Sequence, residues 1–320
     1  EHGMYNLPQP VRLYYFCSVF RYERPQAGRY REHHQFGVEA LGDGDPAIDA
    51  EVISLGWGLM AHLGLRDLSL VINSIGDPAC RPAYVQKLRE YYADKVDRLC
   101  PDCRRRLERN PLRLLDCKEE GCQAVKEGAP RMLDYLCPPC REHWEALLRY
   151  LSHMGLAYRI DHRLVRGLDY YTRTVFEIQP PVEGGQSTIL AGGRYDGLAQ
   201  DIGGRPTPGI GFGTGIERLV LNLKRQEVPV PETAPRPVVV VSMAEEASDA
   251  AFKLAHDLRS HGVPTLLAPR GKSARAQMRY AGAMDAQYVV ILGEEELKEG
   301  TASVKDMATG EQKRVPLSQV

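Results

Sequence analysis

Residues 20 to 42 read FRYERPQAGRYREHHQFGVEALG, and this stretch decides the fold. Four arginines fall within eleven residues: Arg21, Arg24, Arg29 and Arg31. Pro25 and Gly28 stand among them and favour a turn. Arg21 and Glu23 share a face of the strand that leads into that turn. From His34 the pattern alternates strictly. Gln35, Gly37 and Glu39 point one way, and Phe36, Val38 and Ala40 point the other. The stretch therefore predicts a hairpin with one buried apolar face and one face lining a polar site. An arginine-rich loop above a carboxylate-bearing strand suits a phosphorylated ligand with a cationic group beside it. A solvated basic hairpin would need neither Gln35 nor Glu39 on the site face.

Outward from the hairpin, composition sets bounds. The chain has 320 residues, enough for two or three domains, and its 43% hydrophobic and 26% charged content is that of an ordinary globular protein. A net charge of −1 means that contact with nucleic acid must come from local patches. No apolar run approaches the roughly 20 residues that span a bilayer, and no signal-peptide pattern opens the chain. Seven of the eight cysteines lie between residues 80 and 140, which does not resemble a disulfide framework and predicts a reducing cytoplasm. Glu1 falls within sequence that already reads as folded, so an N-terminal piece is expected before it.

In chain order, residues 11–20 are rich in aromatic β-formers. Asp43-Gly44-Asp45-Pro46 is a turn, and Asp49 and Glu51 fall in the first turn of a helix running to about Leu63. Leu68 to Ile72 reads as a strand. These elements predict an antiparallel sheet with flanking helices rather than a doubly wound parallel one. Residues 80–150 are helical and charged and interrupt the sheet pattern, with one helix expected from Tyr84 to Leu99 and another from Glu142 to Leu151. Sheet pattern returns over 158–193, and a glycine-rich stretch ends in a helix at about 215–225. Residues 228–237 hold four prolines and read as a linker. The tail alternates strands (Val238–Met243, Thr265–Ala268, Tyr288–Leu292) with helices (Ala247–Ser260, Ala274–Gly282), which predicts a small α/β domain. The expected organisation is a core over 1–78 and 151–228, an insertion over 79–150, a linker over 229–237 and a tail domain over 238–320.

Four further constellations carry chemistry. Arg166-Gly-Leu-Asp-Tyr170-Tyr171-Thr-Arg-Thr-Val-Phe-Glu177 sets two tyrosines and an arginine at a loop-to-strand junction, a polar-tipped aromatic wall. Gly192-Gly193-Arg194-Tyr195 lets a backbone approach a ligand closely. Glycines at 209, 211, 213 and 215 line one face of a strand, and Thr214 and Glu217 suggest a capping box for the helix that follows. Arg218 sits in the first turn of that helix, where a positive charge opposes the dipole, so a ligand is its expected partner. The glycine spacing is not that of a dinucleotide-binding fingerprint. Last, Cys100-Pro-Asp-Cys103 and Cys137-Pro-Pro-Cys140 have zinc-knuckle spacing. Cys117 and Cys122 remain alternative partners for either pair, and reduced thiols packing a helical subdomain remain the other reading.

The first stretch resembles motif 2 of the class II aminoacyl-tRNA synthetases, in the form found in histidyl-tRNA synthetases. The Arg166–Glu177 run resembles the histidine signature of that family, and Gly209–Leu219 resembles class II motif 3. The resemblance implies an α+β antiparallel-sheet catalytic core with a helical insertion, followed by a small α/β anticodon-binding domain. It implies a ligase that activates L-histidine with ATP and Mg²⁺ and transfers it to the 3′ end of tRNA(His). Arg21 would meet the α-phosphate, Arg29 the outer phosphates and Arg218 the γ-phosphate. Arg166 would be catalytic, near the α-phosphate and the substrate carboxylate. Gln35, Glu39, Tyr170, Tyr171 and Tyr195 would form the histidine pocket, with Glu39 and Tyr171 reading the imidazole nitrogens. His33 departs from the family by standing where an aromatic that stacks on adenine is expected. Arg104 to Arg109, with Arg270, Lys272, Arg275 and Arg279, would touch RNA. Motif 1, which builds the homodimer interface, and a loop that surrounds the substrate's amino group would precede Glu1, which leaves open whether residues 1–320 alone are active. A histidine-sensing regulatory subunit of ATP phosphoribosyltransferase is the alternative, and an RNA-binding or kinase-associated pseudo-synthetase a third. The intact Arg21, Arg166 and Arg218 argue against both, and the tail argues further against the regulatory subunit.

Overall fold

In the computed structural model, which describes residues 2–22, 30–181, 188–230 and 235–320, the hairpin forms as one antiparallel pair. Strand β1 (Val11–Phe20) runs against β2 (Glu32–Leu41), with Tyr15 opposite Gly37. The loop that carries Arg24 and Arg29 lies outside the described residues. Helix α1 (Pro46–His62) follows. It starts where it does because the Asp45 carboxylate accepts the Ala47 N–H at 2.8 Å and proline occupies the first helical position. Ile48, Val52, Ile53 and Met60 line its buried side. Burying each of these is worth about 1.5–3 kcal/mol.

Strand β3 (Ser69–Ser74) precedes the insertion, which holds α2 (Arg81–Ala93), α3 (Pro101–Arg109) and α4 (Glu120–Lys126). The single helix expected from Tyr84 to Leu99 is not formed. It ends at Ala93, and a separate 3₁₀ turn covers Val96–Arg98, with the Lys95 ammonium turned back onto the Tyr91 carbonyl at 2.8 Å. Helix α5 (Pro138–His153) returns the chain to the sheet, starting four residues before the expected Glu142 because Pro138 and Pro139 suit a first turn. Strands β4 (Tyr158–Ile160), β5 (Thr172–Gln179) and β6 (Leu190–Arg194), a single turn α6 (Leu198–Asp201), β7 (Gly209–Gly215) and α7 (Ile216–Arg225) complete the unit. The strands lie in the order β1-β2-β7-β6-β5-β3-β4, antiparallel throughout except for β3 with β4. Phe36, Val38, Leu190 and Phe212 belong to the hydrophobic core, which also takes in the buried side of α1. The opposite face of β2, β7 and β6 is left to polar groups and glycines.

Residues 229–320 form a second compact unit. It contains β8 (Val238–Ser242), α8 (Ser248–Ser260), β9 (Thr265–Leu267), α9 (Ala274–Ala283), β10 (Tyr288–Leu292), α10 (Glu294–Glu299), β11 (Thr301–Asp306) and β12 (Gln312–Pro316). Val239 and Val241 enter one apolar cluster and Val240 another, so the valine run is covered on both faces. That is why four consecutive valines make a central strand, flanked in parallel by β9 and β10. The β11–β12 hairpin was not foreseen from the sequence. Among the described residues no helix is long and apolar enough to cross a membrane.

Candidate active site

The polar face of β2 is built by register. Tyr15 lies across Gly37, where a Cβ would overlap its phenol ring. Its hydroxyl accepts a hydrogen bond from Gln35 Nε2 at 2.7 Å. Gly211 of β7 stands opposite Glu39, and a Cβ there would overlap the Glu39 carboxylate. Both glycines are thus required by close approach rather than by backbone conformation. The Tyr195 hydroxyl donates to Glu39 Oε2.

Around these groups lies a cavity of about 440 Å³, walled by Tyr15, Gln35, Glu39, Tyr170, Tyr171 and Tyr195. The rings of Tyr170 and Tyr171 sit 4.6 Å apart, and Tyr195 meets Tyr170 edge-on at 6.1 Å. Burial lifts the Glu39 carboxyl above the ordinary range, against the opposing pull of the Tyr195 hydrogen bond. Burial also pushes the Tyr170 and Tyr195 phenols upward, so both remain protonated donors near neutral pH. Aromatic walls around one carboxylate suit a planar ring carrying N–H groups.

A second cavity of about 230 Å³ is lined by Arg21, His33, Gln35, Arg166, Glu217 and Arg218, among others. Gln35 and Arg166 line both cavities. Arg21 Nη2 stands 2.8 Å from His33 Nε2. Burial and the Arg21 charge hold the His33 pKa below its usual value, so its ring is neutral at pH 7. Arg218 Nη1 donates to the Thr188 carbonyl at 2.8 Å, which turns the guanidinium toward the sheet end. Arg166 Nη1 donates to Glu177 Oε1 at 2.8 Å, while its Nε is sealed from solvent with no hydrogen-bond partner among the described residues. Glu177 thus holds the Arg166 guanidinium at the wall that the two cavities share.

The sequence expectations fare differently. Arg21, His33, Gln35, Glu39, Arg166, Tyr170, Tyr171, Tyr195 and Arg218 all line one or both of these adjoining cavities. Arg29 lies outside the described residues. The capping box from Thr214 and Glu217 does not form. Thr214 is inside β7 and its hydroxyl donates to the Ile189 carbonyl at 2.9 Å, while the Glu217 carboxylate accepts the His34 backbone N–H at 2.9 Å. Glu217 therefore ties α7 to β2 instead of closing its own first turn. The four cysteines taken as one set, Cys100, Cys103, Cys137 and Cys140, do not converge. The first pair meets Cys117 and Cys122, and the second meets Asp77 and Cys80.

Two features escaped the sequence reading. Tyr15 enters the site only through its pairing with Gly37, which the strand pattern alone does not reveal. Asp49, read as a helix-dipole residue, is fully buried. There it pairs with Arg194, accepts from Thr174 Oγ1 at 2.5 Å and lies 2.8 Å from His143 Nε2. Burial alone would raise the Asp49 carboxyl, but His143 and Arg194 outweigh it and hold the group below its ordinary value. This network locks β6 to α1 and so fixes Tyr195, the residue after Arg194.

The family model for histidyl-tRNA synthetase matches residues 2–219, and that for the anticodon binding domain matches residues 237–320. A histidine–tRNA ligase of Dehalococcoides mccartyi is 53% identical over 320 residues, covering 100% of this chain and 77% of that protein. One from Desulforamulus reducens is 50% identical over 320 residues, covering 100% of this chain and 76% of its own length. The crystal structure of apo S. aureus histidyl-tRNA synthetase superposes with a TM-score of 0.83 at 35% identity, covering 99% of this chain and 77% of that one. An ATP phosphoribosyltransferase regulatory subunit/histidyl-tRNA synthetase from Bacillus halodurans C shares the fold alone, with a TM-score of 0.61 at 23% identity over 91% of this chain and 76% of its own. By sequence along its whole length and by fold, the chain belongs to the histidyl-tRNA synthetase family.

Proposed function

We propose that the chain activates L-histidine with ATP and passes the histidyl group to the 3′ end of tRNA(His). The observation that carries this reading is the shared wall of the two cavities. Gln35 and Arg166 belong both to the aromatic, carboxylate-bearing cavity and to the arginine-lined one. A histidine whose ring lies among the tyrosines would place its carboxylate at Arg166. An ATP whose phosphates lie along Arg21 and Arg218 would place its α-phosphorus at the same wall. The carboxylate then attacks that phosphorus, the bond to the β,γ-phosphates breaks, and pyrophosphate leaves. A ribose hydroxyl of the tRNA terminus afterwards takes the histidyl group and releases AMP. Catalysis rests on positioning and on fixed positive charge, without a covalent enzyme intermediate.

In this reading Glu39, held by Tyr195, accepts an imidazole N–H, and a Tyr171 hydroxyl serves the other side of the ring. An apolar ring of similar size would offer no donor to the lone pairs that Glu39 keeps beyond its bond from Tyr195, in a buried site, which is strongly rejecting. Arg29 would serve the outer phosphates, and His33, neutral and beside Arg21, would border the nucleotide. Glu217, whose carboxylate keeps lone pairs beyond its bonds to His34, is the oxygen donor available to Mg²⁺. The ion would supply neutralisation of phosphate charge. The unit over 229–320 would read the anticodon. None of the eight cysteines forms a disulfide, which suits a reducing cytoplasm. Edge strand β1 exposes Tyr14, Phe16 and Phe20, which supports burial against a second copy in a homodimer.

The test is exchange of labelled pyrophosphate into ATP in the presence of each amino acid. Histidine alone is expected to drive exchange. A folded protein that binds histidine and drives none would favour the histidine-sensing regulatory subunit instead.

A further inference from the structure

We propose that the inserted segment holds two structural zinc ions, one on Cys100, Cys103, Cys117 and Cys122 and one on Asp77, Cys80, Cys137 and Cys140. Neither group contributes to the cavities described above. In each, the four candidate ligand atoms lie within 4.8 Å of one another. Cys100 Sγ and Cys117 Sγ are 3.9 Å apart. That is near the edge of a tetrahedron with metal–sulfur bonds of about 2.3 Å, and far beyond the roughly 2.0 Å of a disulfide. In the second group Asp77 Oδ1 stands 3.5 Å from Cys80 Sγ and 3.8 Å from Cys137 Sγ. Those are the spacings expected of a mixed sulfur and oxygen set around one small cation.

The local chain geometry repeats. Asp77-Pro78-Ala79-Cys80, Cys100-Pro101-Asp102-Cys103 and Cys137-Pro138-Pro139-Cys140 share one frame: an anionic ligand, proline, any residue, cysteine. In the last two frames the first cysteine caps a helix and proline starts it, so the second cysteine sits in the positive first turn. Backbone N–H groups point at the sulfurs. Cys103 N donates to Cys100 Sγ at 3.4 Å, Cys100 N to Cys122 Sγ at 3.2 Å, and Asp77 N to Cys80 Sγ at 3.5 Å. Such bonds to a thiolate orient metal ligands.

Zn²⁺ with four thiolates, or with three and a carboxylate, carries a net charge of −2. Each group has a neighbouring cation without a carboxylate partner within ion-pair distance among the described residues. Lys126 is buried and its ammonium donates to the Cys117 carbonyl at 2.7 Å. Arg81, next to Cys80, spends its guanidinium on the carbonyls of Ile75, Gly76 and Tyr171. A cation withdrawn from water and bonded only to carbonyls is costly unless negative charge lies close by. A metal–thiolate centre would add to the charge that Asp116 and Asp161 lend Lys126 and that Asp77 and Asp169 lend Arg81.

The two ions would staple the insertion in nested fashion. The first closes its middle, where α3 and α4 are short and joined by turns. The second ties its entry, just after β3, to its exit at the start of α5. It also stands behind the tyrosine wall, because Arg81 holds the Tyr171 carbonyl and Arg173 Nη2 lies 3.6 Å from Asp77 Oδ2.

The test is metal analysis of the whole 320-residue chain, purified without chelator, with protein concentration fixed by amino-acid analysis. Two equivalents of zinc per chain are expected. Cys117→Ser and Cys80→Ser should each reduce this to one. Because a serine variant can fail to fold, the chain reconstituted with Co²⁺ gives an independent reading. Thiolate-to-cobalt charge-transfer absorption should rise to an end point at two equivalents. A folded chain that carries no zinc and develops no such absorption overturns the proposal. A variant that folds and keeps two equivalents overturns it for the cluster that was altered. Neither readout depends on the aminoacylation reading, so the two can fail separately.

Discussion

Arg166 precedes β5 and Arg194 ends β6, its neighbour in the sheet, and their surroundings are opposite. Arg194 is fully buried on the helix side of the sheet, bonded to Asp49, to Asp196 at 2.9 Å and to the Asp43 carbonyl at 3.1 Å. Arg166, on the cavity side, has one ion pair and a buried Nε with no partner among the described residues. The first arginine is satisfied by its own protein and has nothing to offer a ligand. The second is held in place yet left incomplete. The same contrast separates Asp49, held below its ordinary pKa by His143 and Arg194, from Glu39, lifted above it by burial against the pull of Tyr195. Paired charge in a core fixes geometry, and incompletely paired charge at a cavity marks the place where a substrate finishes the network.

Three substitutions test that division. The largest effect is expected for Asp49→Ala, which strands Arg194 in the core and should cost about 3–5 kcal/mol of stability, read from the denaturant midpoint of the 1–228 unit. The pH dependence follows from the lowered Asp49 value. Its contribution is complete above the unfolded carboxyl pKa of about 3.9 and is lost as pH falls through the lower folded value. Arg166→Gln should act on chemistry instead. It should slow histidine-dependent exchange about 10²–10³-fold and lower stability less than Asp49→Ala does, measured on the same preparation. An unfolded Arg166 variant would erase the distinction drawn here. Glu39→Gln is the smallest, a loss of about 1.5–3 kcal/mol in histidine affinity read in KM for histidine. Because the folded Glu39 pKa is raised, keeping this carboxylate ionised opposes folding at neutral pH. The glutamine variant should therefore melt no lower than the parent. For the same reason histidine affinity should weaken as pH falls through the raised Glu39 value.

Much of this site was legible before the structure, for a local reason. Period-two alternation on β2 fixes by itself that Gln35 and Glu39 face away from Val38 and Ala40. The glycine ladder on β7 likewise announces close approach, though not what approaches. What stayed hidden depends on register and on contacts between distant segments. Tyr15 joins the site because it pairs with Gly37, and nothing in either strand alone selects that register. Asp49 and Arg194 belong to different elements; Asp49 does fall in the first turn of α1, but helix position alone does not reveal its buried partner. Thr214 and Glu217 have capping-box spacing, yet the strand runs on to Gly215 and the glutamate finds the His34 N–H first. The cysteines show the same limit. Spacing identifies each Cys-Pro-x-Cys pair, but only the folded insertion decides which pair meets which.

Recognition of an imidazole ring by the carboxylate-and-phenol cavity underlies the proposed chemistry. Calorimetric titration of the chain with L-histidine and with L-phenylalanine tests this most directly. A single histidine site, no detectable phenylalanine binding, and a histidine affinity that falls in Glu39→Gln are expected. Equal binding of the two amino acids, or histidine binding that ignores the Glu39 substitution, would contradict such recognition.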